Sequence, residues 1–165
     1  FGWKYGLGLL GLEGALFITL LIGIAMTDAR EYIIPDEFTI GGLILGLLFS
    51  VTGGVPSVLQ AVLGGVVGFG LLWLVGAAGT WAFKEEAMGG GDIKMMAMVG
   101  TFVGWQGVLL TVFLGALTGA AVFLPLSLTG RKKLVPFGVF LALGAALAYL
   151  WGGEIITWYR RFAGL

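Results

Sequence analysis

The sequence contains no cysteine and no histidine. That excludes a disulfide framework, a cysteine nucleophile, a Ser-His-Asp triad and the usual zinc sites. Charge is also scarce: 11% of the 165 residues are charged, against roughly 25% in a soluble domain. The nine basic and nine acidic residues balance, so a nucleic-acid surface has no support. Any chemistry has to come from Asp, Glu, Lys, Ser, Thr or Tyr, and no cofactor or metal is expected.

What fills the chain is apolar: 59% of residues are hydrophobic and the mean hydropathy is +1.05. Such a composition belongs to a polytopic membrane protein. The expected fold is all-α, a membrane helix bundle of about six transmembrane segments including short ones. Thirty-one glycines recur within the apolar runs. The pairs Gly42 and Gly46, Gly64 and Gly68, Gly100 and Gly104, and Gly115 and Gly119 have the small-xxx-small spacing that lets membrane helices approach closely.

Residues 8–27 form a first apolar run interrupted only by Glu13, long enough to cross a hydrocarbon core of ~30 Å. Trp3 and Tyr5 before it suit an interfacial aromatic belt. Residues 28–37 then carry five of the eighteen charges and read as the first aqueous loop. In it, Pro35 favours an extended Ile34, and Asp36 is placed to cap the next helix. Residues 38–51 are apolar but short, a turn is expected at 52–56, and 55–83 is ample for a crossing. The 36 uncharged residues between Lys94 and Arg131 would measure roughly 54 Å as one helix, so that run must break. Gly104-Trp-Gln-Gly107 is the natural break, giving a short helix from Ile93 and a crossing over 108–126. A last crossing spans 134–153, followed by an interfacial tail with Trp158, Tyr159, Arg160 and Arg161.

The stretch Met88-Gly-Gly-Gly-Asp92-Ile-Lys94 organises the chain. Glycines beside Asp92 remove side-chain bulk, so an extended backbone could come close to the carboxylate. An ionisable group at membrane depth is costly and is by default a functional hypothesis. The simplest alternative makes Asp92 only the N-cap of a helix starting at Ile93. Asp28 is the candidate partner, its own alternative being a solvated helix-end carboxylate paired with Arg30. Two passes separate the segments bearing these aspartates, so both emerge on one membrane face. Two neighbouring carboxylates in a desolvated site tend to share one proton. The ionised member can then deprotonate water while the other donates to a substrate carbonyl.

Asp36, Glu37, Glu85 and Glu86 are rival carboxylates in charged clusters, expected to play support roles at most. Glu13 is expected to snorkel or to pair with Lys4. Lys94 could hold the loop of Asp92 against a carboxylate or a lipid phosphate, but reads first as a snorkelling, positive-inside anchor, as do Lys132 and Lys133. Arg30, Lys84, Lys94, Arg131, Lys132 and Lys133 fall on one side, and Lys4, Arg160 and Arg161 on the other. That asymmetry favours the cytoplasm for the face of the aspartates.

Two stretches carry a resemblance. Asp28-Ala-Arg-Glu-Tyr-Ile-Ile-Pro-Asp36 and Gly89-Gly-Gly-Asp-Ile-Lys-Met-Met-Ala-Met-Val-Gly100 resemble the two motifs of the type IV prepilin peptidases, GxGD aspartic membrane proteases. Gly104-Trp105 and Pro136-Phe137-Gly138 are also similar to that family. The resemblance implies cleavage of the basic leader of prepilins and pseudopilins, serving pilus or secretion machinery, after a glycine and at the cytoplasmic face of the bacterial inner membrane. It makes Asp28 and Asp92 the catalytic pair, with Gly89 and Gly91 shaping the backbone around Asp92; Lys94, Pro35 and Asp36 are expected to support the site. Acidic Glu31, Asp36, Glu37, Glu85 and Glu86 would attract the basic leader.

Many members also N-methylate the new amino terminus through an upstream domain with a cysteine metal cluster. Here there is no cysteine and little sequence before Asp28, so no methyl transfer is expected. Residues 1–165 are expected to form one membrane-embedded domain; a start at Phe1 suits either a peptidase-only member or a fragment. The rival classes are a small transporter or channel with an ion site at Asp28 and Asp92, and a purely structural assembly protein.

Overall fold

The computed structural model describes residues 8–52, 56–85, 88–128 and 136–164. Five helices follow one another: α1 (Leu9–Glu31), α2 (Asp36–Val51), α3 (Val58–Phe83), α4 (Gly90–Leu128) and α5 (Phe137–Ala163), with no strand among the described residues. Four of them, α1, α3, α4 and α5, are long and apolar enough to cross a membrane.

The uncharged run expected to break does so at the first residue of the anticipated site. Gly104 has φ 69° and ψ 174° inside α4, a backbone conformation suited to glycine. The two halves, 90–103 and 105–128, pack on different partners in opposite senses. The first half meets α3 through Gly68 against Met96 and Gly64 against Gly100, and the second meets α5 through Gly119 against Phe140 and Gly144 against Thr111. Both pairings are antiparallel, and because α3 ends and α5 begins beside the start of α4, with Gly76 against Met88 and both Gly91 and Gly138 against Ile34, the chain reverses at Gly104. Counting the halves separately gives six helical segments among the described residues, two of them short: α2 has 16 residues, roughly 24 Å at 1.5 Å per residue, and 90–103 is shorter still.

The 90–103 half is the central post of the bundle. Every residue from Met95 to Phe102 is buried, as befits a helix apolar on all sides and enclosed by others. Glycines let its neighbours close in. A Cβ at Gly64 would overlap the Gly100 carbonyl, one at Gly68 the Met96 carbonyl, and one at Gly46 the Thr101 side chain. All four small-residue pairs therefore lie at helix contacts, where van der Waals packing must supply the association that lipid does not. Phe17 of α1 stacks on Phe102 with centroids 4.4 Å apart and meets Tyr149 of α5 at 5.1 Å. Trp73, Leu74, Trp81, Phe113 and Leu117 point outward, the composition expected of a lipid-facing surface.

Several local expectations need correction. α1 runs on to Glu31, so Asp28 belongs to its last turn and the connection shrinks to residues 32–35. Asp36 is not the cap of α2: Pro35 holds the N-cap position and no side-chain cap bond forms. The helix bearing Asp92 starts at Gly90 rather than Ile93, which places Asp92 in the first turn, not at the cap. Glu13 does not snorkel; at 2% exposure it is enclosed by the bundle. The tail that follows residue 153 is helical, continuing α5 to Ala163 with Trp158 and Tyr159 exposed. Trp3, Lys4, Tyr5, Glu86, Arg131, Lys132, Lys133 and the centre of the 52–56 turn lie outside the described residues.

Candidate active site

Asp28 is carried on the last turn of α1 and is 6% exposed. Its Oδ2 accepts the backbone N–H of Val139 at 3.2 Å. α5 begins just there, after Pro136 at its N-cap. First-turn N–H groups have no partner within their own helix and sit at the positive end of its dipole. A carboxylate from another helix is thus a natural counterpart. Glycine permits the approach, because a Cβ at Gly138 would lie 2.7 Å from that same Oδ2.

Asp92 stands in the first turn of α4. Ile34 packs both on Gly91, next to Asp92, and on Gly138, which abuts Asp28 Oδ2, so the two candidate carboxylates lie at the same end of the bundle. Oδ1 of Asp92 is buried and finds no hydrogen-bond partner. Buried polar atoms are nearly always paired, so this oxygen is a candidate contact for a group from outside the chain.

The supporting residues are placed unequally. Gly91 is sterically required: a Cβ there would come within 2.9 Å of the Ile34 Cβ. Gly89 is not under that demand, since its Cβ would meet only Asp92 Oδ2, at 3.9 Å. Lys94 is not a free snorkelling anchor. Its Nζ donates to both oxygens of Asp36, at 2.7 and 2.8 Å, tying the start of α2 to the start of α4. Both partners are about half exposed, so the pair is worth at most about 1 kcal/mol. Pro35, with φ −64° and ψ 138°, turns the chain into α2, and its carbonyl accepts the N–H groups of Phe38 and Thr39.

Among the described residues no group of three acidic side chains could hold a metal ion. Glu31, Glu37 and Glu85 are exposed. Two contributors to the site carried no assigned role in the sequence: the α5 N-terminus at Gly138 and Val139, and Ile34. Pro136-Phe137-Gly138 marked a helix start, but nothing in it names Asp28 as the group it receives.

The chain matches known proteins over most of its length. A family model described as the type IV leader peptidase family matches residues 15–124. The "Prepilin leader peptidase/N-methyltransferase" of Aeromonas hydrophila is 36% identical over 90% of this chain and 53% of its own length. The proteins of that name from Xanthomonas campestris and Pseudomonas aeruginosa are 32% and 36% identical over 99% of this chain, covering 58% and 56% of theirs. The chain thus spans about half the length of the curated relatives it matches. No solved structure matches it. With an all-helical bundle, four membrane-length apolar helices and a match over residues 15–124, the chain is an integral membrane protein that belongs to the type IV leader peptidase family.

Proposed function

We propose that this chain is the peptidase part of an enzyme that removes the leader of type IV prepilins and pseudopilins, using Asp28 and Asp92 as a catalytic pair. The observation that carries the proposal is geometric. Two carboxylates 64 positions apart in the sequence flank Ile34 at one end of the bundle, and one of them presents a buried oxygen without a protein partner.

With one proton shared between the pair, the ionised carboxylate takes a proton from water as the oxygen attacks the scissile carbonyl carbon. The protonated carboxylate donates to the carbonyl oxygen. The tetrahedral intermediate then collapses, its C–N bond breaks, and the leaving nitrogen takes up a proton from the pair. Val139 N–H and Gly138 hold Asp28 in place. The Lys94–Asp36 pair, with Pro35 leading into α2, fixes the first loop against the turn that carries Asp92, and Gly91 lets that loop close in.

The active site faces the cytoplasm of a bacterial inner membrane in this proposal. Arg30, Lys84 and Lys94 lie at the end of the bundle that holds the aspartates and Arg160 and Arg161 at the other, which follows the positive-inside tendency. The hydrophobic part of the substrate would lie in lipid against the helices while its basic leader stays in water.

The test is incubation of the purified protein in liposomes with a leader-bearing prepilin, followed by mass analysis of the product. Cleavage by the parent and only a small residual rate in folded Asp28→Asn and folded Asp92→Asn are expected. Cleavage at the parent rate by either variant would contradict the assignment.

A further inference from the structure

The connection between α1 and α2 follows directly on the turn that carries Asp28. Tyr32 takes a left-handed conformation, φ 55°, and its N–H closes the end of α1 on the Asp28 carbonyl at 3.0 Å. Residues 33–35 then run outside any helix into α2. Ile33 turns outward and is 60% exposed, whereas Ile34 turns inward and packs on the buried core.

The seat of Ile34 is made of two glycines from two other helices. A Cβ at Gly91, next to Asp92, would meet Ile34 Cβ at 2.9 Å. A Cβ at Gly138 would meet Ile34 Cδ1 at 2.9 Å and Asp28 Oδ2 at 2.7 Å. One side chain therefore bridges the helix turn that carries Asp92 and the helix turn that receives Asp28. Both walls are stripped to backbone, and the space they release is filled by Ile34 instead of being left open. A β-branched side chain is stiff at χ1, and backbone on two sides gives it little room to swing away.

We propose that Ile34 is the specificity-determining residue of this site: its side chain gauges the substrate residue lying next to the scissile carbonyl and admits only a residue with little or no side chain. A peptide whose carbonyl reached the two aspartates would come beside Ile34, which packs on the glycine next to Asp92 and on the glycine that abuts Asp28. A glycine there lays bare backbone against the isoleucine, while each added carbon competes for volume that Ile34 already holds. The inference rests on the peptidase function proposed above and concerns which peptides that site accepts.

The test compares a prepilin with glycine before the scissile bond and the same prepilin with alanine there, cut by the parent, Ile34→Val and Ile34→Ala. The quantity read is the ratio of kcat/KM for the alanine substrate to that for the glycine substrate. One methylene in a pocket is worth about tenfold or more in discrimination, so Ile34→Ala should raise the ratio about tenfold or more, with Ile34→Val raising it less. A merely structural isoleucine would lower both rates together and leave the ratio unchanged. An unchanged ratio in Ile34→Ala, or in Ile34→Val should the alanine variant fail to fold, with the glycine substrate still cut, overturns the gauge. A folded parent that cuts neither substrate overturns the peptidase function on which it rests.

Discussion

Gly138→Ala adds one methyl group at the point where three helices meet the candidate site, and its consequences can be worked through atom by atom. The new Cβ would lie 2.7 Å from Asp28 Oδ2, 3.1 Å from its Cγ and 2.9 Å from Ile34 Cδ1. The first of these neighbours is the end of a flexible side chain, so the carboxylate rotates away instead of the helices parting. Rotation breaks the 3.2 Å bond from the Val139 N–H. A hydrogen bond to a charged group contributes about 1.5–3 kcal/mol. Were all of that lost from the transition state, kcat/KM would fall roughly 10- to 150-fold at 1.36 kcal/mol per factor of ten. Alanine in place of a helical glycine returns about 0.5–1 kcal/mol to the fold, so stability should fall by less than activity. The assay is prepilin cleavage in liposomes beside thermal unfolding in detergent, with Gly153→Ala in the same helix as control, since a Cβ there meets nothing within 4 Å. Full activity in a folded Gly138→Ala protein, or an equal loss in the control, would show that the Val139 bond to Asp28 does not support cleavage.

Two further predictions follow from packing and charge. In α3, Gly64→Ala drives a methyl group into the Gly100 backbone and should cost about 1–3 kcal/mol, whereas Gly70→Ala, open on all sides, should gain about 0.5–1 kcal/mol; unfolding midpoints of the two variants should move in opposite directions. A double-mutant cycle of Lys94→Met and Asp36→Asn should give a coupling in stability of at most about 1 kcal/mol that shrinks with added salt, and a coupling of several kcal/mol would contradict the half-exposed geometry.

Much of this architecture could be read from the amino-acid order because lipid imposes simple rules. Run lengths between charges give the crossings, and the over-long run after Lys94 demanded a break that Gly104 supplies. Parity alone brings Asp28 and Asp92 to one face. The spacing of Gly64 and Gly68 marks a close helix contact without saying which helix comes near. That last step is where the order of residues stops being informative. In lipid the outer faces are as apolar as the packed ones, so the pattern shows that a segment crosses but not what it touches. The α5 N-terminus at Val139 meets Asp28 across 111 positions, and no local motif pairs them. Asp36 satisfied the local rule for a cap, yet a lysine 58 positions away claims its carboxylate. Glu13 looked like a snorkelling carboxylate by its position near a helix start, but packing of the bundle encloses it.

Whether Asp28 and Asp92 work as one unit is read from the rates of the Asp28→Asn, Asp92→Asn and double variants, measured at enzyme excess over prepilin. Residues that act together are strongly non-additive. The double variant is therefore predicted to be no slower than the slower single variant. Losses that multiply, or one variant that retains the parent rate, would show that the two carboxylates act separately and would contradict the account.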